Sequence, residues 1–313
     1  MTHTPVTIVV EWDNARLSEA DRSIRLLEQL DLQVRALGRP AEIIVCYDGT
    51  ELDRVALAEL LRRHLAVPWR LEASRGEYYA LKNYAASLST GDPIVFVDSD
   101  VVPESGWLVH LLSCFDDPDI EVACGSTYID PATLLGKAFA LFWFYPLRPR
   151  RGERARTMRF YANNVAFRRR TFERFPFPLA GQASRGSCLA LATQLADAGI
   201  PIWSNSAARM SHPPPNGLHH FIVRALAQGR DRFLRERPRS RSRLGALLAI
   251  GARLARNLVR SAREIGSGYR RVGVPLWQLP AIAVIATAYY GLFFCGEVAT
   301  ILRGEWMARN FRI

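Results

Sequence analysis

Apolar residues follow two periods along the first hundred positions, and the alternation between them predicts an architecture. The run from Val6 to Val10 is short, β-branched and uninterrupted, as a strand buried on both faces requires. From Ala15 to Leu37 the period becomes helical, with Ile24, Leu27, Leu30 and Val34 on one face. Glu42 to Cys46 reads as a second strand closing on the turn cluster Tyr47-Asp48-Gly49-Thr50, and Leu52 to His64 returns to helical spacing. Trp69 to Glu72 is strand-like and Tyr78 to Leu88 helical; Gly91-Asp92-Pro93 breaks the helix, and Ile94 to Val97 is a buried strand ending at Asp98. Strands alternating with helices predict an α/β fold, a mostly parallel, Rossmann-like sheet flanked by helices, with ligands beyond the carboxyl ends of the strands. Polar residues follow those ends: Glu11 to Asn14, Asp48, and Asp98-Ser99-Asp100.

The last third of the chain has a different pattern. In Leu244 to Ile265, Arg253, Arg256, Arg260 and Arg263 share one side of a helix, while Leu244, Leu247, Leu254, Leu258 and Ile265 share the other. That predicts an amphipathic, interfacial helix. Leu276 to Gly296 carries no formal charge and as a helix would reach about 30 Å, the thickness of a bilayer core. A membrane helix is the expectation, although Pro280, Gly291 and the nearby Glu297 also suit a helix packed in a soluble core.

Composition narrows the class. The 313 residues are 49% apolar and 23% charged, enough for a sizeable core and unlike a disordered chain or disulfide scaffold. The net charge of +11 is carried by arginine, lysine occurring only at Lys82 and Lys137. A nucleotide or an anionic membrane fits that charge; no nucleic-acid recognition motif accompanies it, so nucleic acid is not expected. Arginines crowd Arg148 to Arg159, suggesting a mobile basic loop over an anion or on lipid headgroups. Cys46, Cys114, Cys124, Cys188 and Cys295 have no paired metal or redox spacing and read as reduced thiols. No charged segment leading into an apolar stretch opens the sequence, so a cleaved signal is not expected.

Two carboxylates at a strand tip, Asp98 and Asp100, can share one hard divalent cation with phosphate oxygens. Together with Val9-Val-Glu11-Trp-Asp-Asn14, Glu42 to Thr50, Ala80-Leu-Lys82-Asn83, Gly91 to Asp100 and Trp107-Leu108, this motif resembles the ordered motifs of family 2 glycosyltransferases, which have the GT-A fold. The resemblance covers about residues 6 to 112 and, more loosely, extends to about 225. It implies transfer of a sugar from a nucleotide-sugar donor, most simply a UDP-sugar. Glu11 would lie beside the nucleotide and Asp48 would accept from the base. Lys82 and Asn83 would approach the diphosphate, and Asp98 and Asp100 would hold Mg2+ or Mn2+, with Asp100 the direct ligand. His212 matches a histidine that joins the metal shell in some GT-A enzymes, and Asn163-Asn164 resembles the stretch before the acceptor elements.

One departure matters. Where inverting members carry an acidic pair that supplies the general base, this sequence has Ser187-Cys188, and neither is a good base near neutral pH. Three accounts follow: a base from Asp130, Asp197 or His212; an acceptor already ionised, such as a lipid phosphate drawn by Arg185 and the Arg148 to Arg159 tract; or a non-catalytic relative that binds a nucleotide sugar or a partner. A nucleotidyltransferase is disfavoured because Glu11-Trp-Asp-Asn14 is not a phosphate loop. The expected organisation is a GT-A domain over 1–235, a basic linker and interfacial helix over 236–272 and a membrane helix with a tail over 273–313. The catalytic domain is expected on the cytoplasmic face of a cell membrane, where nucleotide sugars are available.

Overall fold

The computed structural model describes residues 5–50, 53–150, 152–179, 186–236 and 242–310. They form two compact units, one of residues 1–128, 148–179 and 187–212, the other of 129–147, 180–186 and 213–313.

The first unit is built on one sheet. In chain order its elements are β1 (Val6–Glu11), α1 (Ala20–Ala36), β2 (Ala41–Asp48), α2 (Arg54–His64), β3 (Trp69–Ser74), α3 (Tyr78–Ser87), β4 (Ile94–Asp98), β5 (Val102–Pro103), α4 (Trp107–Leu112) and β6 (Val122–Ile129). In the second unit α5 (Leu134–Phe142) intervenes before the first resumes with β7 (Arg154–Thr157), β8 (Asn164–Phe167), α6 (Arg169–Arg174), α7 (Ser187–Asp197) and β9 (Ile202–His212). The strands run β3-β2-β1-β4-β8-β6-β9-β5, with β7 on β9. The half built from the alternating sequence pattern, β3-β2-β1-β4, is parallel. From β8 onward the pairs β4–β8, β6–β8, β5–β9 and β7–β9 are antiparallel.

Period-two alternation divides the core. Val6, Ile8, Val10, Ile43, Val45, Val95 and Val97 pack on one face with Leu26, Leu30, Leu61 and Trp107. Val9, Ile44, Cys46, Ile94 and Phe96 pack on the other with Leu81, Ala85, Leu191 and Leu195. Strands covered on both faces must be apolar throughout, which is why they read as unbroken runs. Strand order reverses at β1, whose neighbours are β2 and β4, and folds of this kind take their ligands beyond the carboxyl ends at such a point. At that end Glu11 is level with Cys46 on one side and Asp98 on the other.

The second unit is helical: α5, α8 (Gly217–Arg235), α9 (Arg243–Val272) and α10 (Leu279–Asn310). Helices α8 and α10 meet backbone to backbone. A Cβ on Gly229 would lie 2.0 Å from the Phe293 carbonyl oxygen, and one on Gly296 2.2 Å from that of Leu226, so only glycine permits this approach. One helix among the described residues, Leu276–Met307, is long and apolar enough to cross a membrane, and a third of its apolar window is buried against the protein.

Several arginines of the basic tract have structural partners. Arg148 makes a two-point ion pair with Glu104, at 2.7 and 2.9 Å, and Arg209 and Tyr128 close on the same carboxylate at 2.9 and 2.7 Å. Arg154 donates to the backbone and hydroxyl of Ser113, and Arg156 stacks over Trp203. Arg151 lies outside the described residues. Burial pushes the Glu104 carboxyl up, but hydrogen bonds from Arg148, Tyr128 and Arg209 outweigh it and hold the group down at about 2. A depressed carboxylate stabilises the fold above its unfolded value, about 4.3, and loses that contribution as pH falls toward 2. Glu104→Gln is therefore expected to flatten the acid limb of the stability profile between these values, read by thermal melts across pH; an unchanged limb would show that this cluster contributes nothing to acid stability.

Candidate active site

Three carboxylates gather at the sheet's carboxyl edge. Glu11 ends β1 and is fully buried; its two oxygens accept from the Asp13 backbone N–H and the Asn14 amide, each at 2.7 Å. Those bonds turn the chain sharply after the strand. Asp13 in turn accepts the Asp48 N–H at 3.0 Å, and Asp48, half-exposed, accepts the N–H and hydroxyl of Thr50 at 2.9 and 2.7 Å. The two Thr50 bonds hold the Asp48 carboxyl below its ordinary value.

Asp98 ends β4 in register with Glu11. It accepts the Tyr78 hydroxyl at both oxygens, 2.7 and 2.9 Å, and pairs with Lys82 Nζ at 2.7 Å. Lys82 is fully buried and donates also to the carbonyls of Val97 and Ala162, at 3.1 and 3.2 Å. Its three protons are thus committed inside the protein. Sequence reading put Lys82 beside a diphosphate; here it is the counter-ion beneath Asp98. Asn83 likewise faces inward, its amide donating to and accepting from the Phe177 backbone at 2.8 and 3.0 Å, so it latches the chain before α7. Helix α3 thus buries Lys82 and leaves Asn83 half-buried, and both side chains make structural contacts.

Asp100 stands on the turn after β4, and its carboxylate is 3.5 Å from His212 Nε2 at the end of β9. Residues more than a hundred positions apart therefore meet at the sheet edge. What joins them was not visible in the sequence. Arg22, buried on the first turn of α1, donates to the Asp100 carbonyl at 2.6 Å and to the Ser211 hydroxyl at 2.8 Å. Ser23 donates to the Ser99 carbonyl at 2.8 Å, and the Ser99 N–H donates to the Glu11 carbonyl at 2.9 Å. The Asp98-Ser99-Asp100 backbone is thus clasped from two sides.

Burial pushes the Glu11 carboxyl up, and Asp98, Asp13 and Asp100 add to the effect against the opposing Lys82. Asp98 is raised for the same leading reason, with Lys82 again opposing and Asp100 reinforcing. Such a cluster carries more negative than positive charge in a dry place, which a cation would relieve. Among the described residues no three His, Cys, Asp or Glu side chains form a ready metal cage. Asp100 and His212 supply an oxygen and a nitrogen donor on their own, a set that suits Mn2+ or Mg2+ when a ligand's oxygens complete the shell.

The start of α7 carries Ser187 and Cys188. Cys188 Sγ is 3.4 Å from the Tyr79 hydroxyl, and burial pushes its thiol up to about 11, the Tyr79 hydrogen bond opposing. It stays protonated near neutral pH and does not serve as a base. Asp197 closes the far end of the same helix, about 15 Å along its axis. Asp130 caps its own turn through Ala132. Asn163 and Asn164 bond Thr127, Trp107 and the Ala208 carbonyl, bracing strands inside the sheet. Arg185 lies outside the described residues.

Removing one member of a buried ion pair strands the other. Lys82→Met is expected to lower unfolding stability by about 3–5 kcal/mol at neutral pH, measured by urea denaturation, with part recovered when Asp98→Asn is added. Equal losses for the single and double variants would mean that the pair is not coupled.

Comparison with known proteins agrees with this fold. The family model described as Glycosyl transferase family 2 matches residues 19–175. The fold is similar to the mannosyltransferase PcManGT from Pyrobaculum calidifontis, solved with GDP-Man and Mn2+, at 18% identity and TM-score 0.54 over 97% of this chain and 88% of that one. It is also similar to residues 1–349 of S. aureus TarS, solved with UDP-GlcNAc, at 11% identity and TM-score 0.52 over 95% and 92%. No curated protein sequence matches the chain. A family model spanning half the chain, over a sheet of this topology, identifies the protein as a glycosyltransferase belonging to family 2, with a GT-A-like fold.

Proposed function

We propose that this glycosyltransferase moves a sugar from a nucleotide-sugar donor, with a divalent cation, to a lipid-linked phosphate acceptor at the cytoplasmic face of a membrane. The observation that carries the reading is the meeting of Asp100 with His212 at 3.5 Å beside the clasped tip of β4. Asp100 and His212 would hold Mg2+ or Mn2+ against the diphosphate. The chemistry such a cation supplies when bound is neutralisation of charge on the departing nucleoside diphosphate. Asp98, fixed by Tyr78 and Lys82, would orient the donor from the strand tip, and Asp48 would accept from the base, with a UDP-sugar the simplest fit. Glu11 would act one step back, by holding the Asp13-Asn14 turn and, through Asp13, the Asp48 backbone.

The acceptor class follows from the start of α7. A hydroxyl acceptor needs a base to take its proton, and neither Ser187 nor a thiol at about 11 takes one near neutral pH. A phosphate monoester arrives ionised and attacks without that step. The arginine-rich composition and an apolar C-terminal helix favour a phosphate carried on a lipid.

Titration calorimetry with nucleoside diphosphates and UDP- or GDP-sugars, with and without Mn2+, tests the donor site. Asp100→Asn is expected to weaken Mn2+-dependent binding at least about tenfold, the equivalent of about 1.4 kcal/mol. Transfer assays should give product with a polyprenyl phosphate and none with the matching polyprenol, with a rate nearly flat from about pH 6.5 to 8.5, above the second phosphate pKa near 6. Metal-independent donor binding, or equal transfer to the alcohol, would contradict the reading.

A further inference from the structure

Helix α9 presents three arcs rather than two. At 3.6 residues per turn, Ala246, Ile250, Asn257, Ser261 and Ile265 make a buried stripe against its neighbours. Centred about 120° away, Leu244, Leu247, Leu248, Leu258, Val259 and Ala262 form a second apolar arc; Leu244 and Leu248 are 68% and 67% exposed. Arg256, Arg263 and Arg270, all exposed, border it on the side away from the buried stripe. A soluble helix turns its apolar residues inward; this one covers a mixed stripe that includes Arg253, Asn257 and Ser261 and shows an apolar arc.

Helix α10 repeats the arrangement. Its outward arc holds Val284, Ala288, Gly291, Cys295, Val298 and Leu302 and no charge. Its inward face is polar at the middle of the apolar run. Tyr289 donates to Gln228 at 2.6 Å, Tyr290 accepts from Arg260 at 2.8 Å, and Glu297 pairs with Arg253 at 2.6 Å. The pairings Arg253–Glu297 and Arg260–Tyr290 set α9 and α10 antiparallel. This register puts exposed Arg256 and Arg263 level with Phe294 and Thr287, halfway along the stretch that would cross a bilayer. A transverse α10 would hold those two guanidinium groups in hydrocarbon, where charge is costly.

We infer that α9 and α10 lie in the plane of one leaflet, their outward apolar arcs sunk to the acyl boundary and the α9 arginines on anionic headgroups, so that α10 does not cross the membrane. Of the occupants an apolar face could take, a lipid surface fits because cations edge the α9 arc, as anionic headgroups require. This inference rests on the membrane reading above and supplies its mode.

The test dilutes the full chain, from detergent, onto sealed vesicles of phosphatidylcholine with or without phosphatidylglycerol. One cysteine is introduced by Trp277→Cys or Leu302→Cys in a background with Cys188 and Cys295 replaced by serine, where Cys46, Cys114 and Cys124 stay buried, and is labelled with the nitrobenzoxadiazole fluorophore; Trp277 and Leu302 are 77% and 66% exposed. The expected result is flotation at least about tenfold stronger with phosphatidylglycerol, with both probes bleached by external dithionite before the vesicles are lysed. Leu248→Asp with Val259→Asp should lower flotation about tenfold or more while leaving the melting temperature unchanged. Flotation with one probe protected until lysis would overturn the in-plane inference and leave membrane attachment standing. No flotation on either lipid would overturn both, and flotation indifferent to the double aspartate variant would remove α9 from the contact.

Discussion

A buried ammonium under the tip of a central strand is the constraint on which the site depends. Lys82 Nζ is dry, 2.7 Å from Asp98, and satisfied by two backbone carbonyls. A lone charge there would be intolerable, and a lone carboxylate would take up a proton. Paired, the two fix where β4 stops and the Asp98-Ser99-Asp100 turn begins. Tyr78 on Asp98, Arg22 and Ser23 on the turn carbonyls, and the Glu11 carbonyl on the Ser99 N–H tighten the same point from three elements. Asp100 consequently stands near His212 as part of a braced edge.

The parallel half of the fold was legible because it obeys local rules. Strands buried on both faces need unbroken apolar runs, and α1, α2 and α3 keep a helical period with turn residues between. The carboxylates at strand ends were legible for the same reason, since a strand that ends at Asp98 must place it at the edge. His212 was legible only through resemblance, because nothing in its neighbours points across the sheet to Asp100.

The side-chain contacts that sequence reading could not supply are those decided by other parts of the chain. Lys82 and Asn83 look like an exposed pair on a helix, yet α3 turns that side under the sheet, where Ala162 and Phe177 wait. Arg22, Ser23 and Tyr78 carry no motif; their roles come from contacts made after folding. The arginine tract is similar, since Arg148 belongs to Glu104 and Arg154 to Ser113. In α9 the expected two-sided helix has three arcs, because its partners cover a stripe containing Asn257 and Ser261 and leave leucines outward. Periodicity reports that a helix has an apolar face; which face is covered depends on neighbours.

The central claim is that the braced strand tip and the end of β9 together hold a cation against a nucleotide diphosphate. Anomalous diffraction at the manganese edge, from crystals grown with Mn2+ and the nucleoside diphosphate that binds, tests it most directly. The account predicts one strong manganese peak within coordinating distance of both Asp100 and His212, with diphosphate density on its open side. A peak elsewhere, or bound nucleotide with no manganese at that pair, would contradict it.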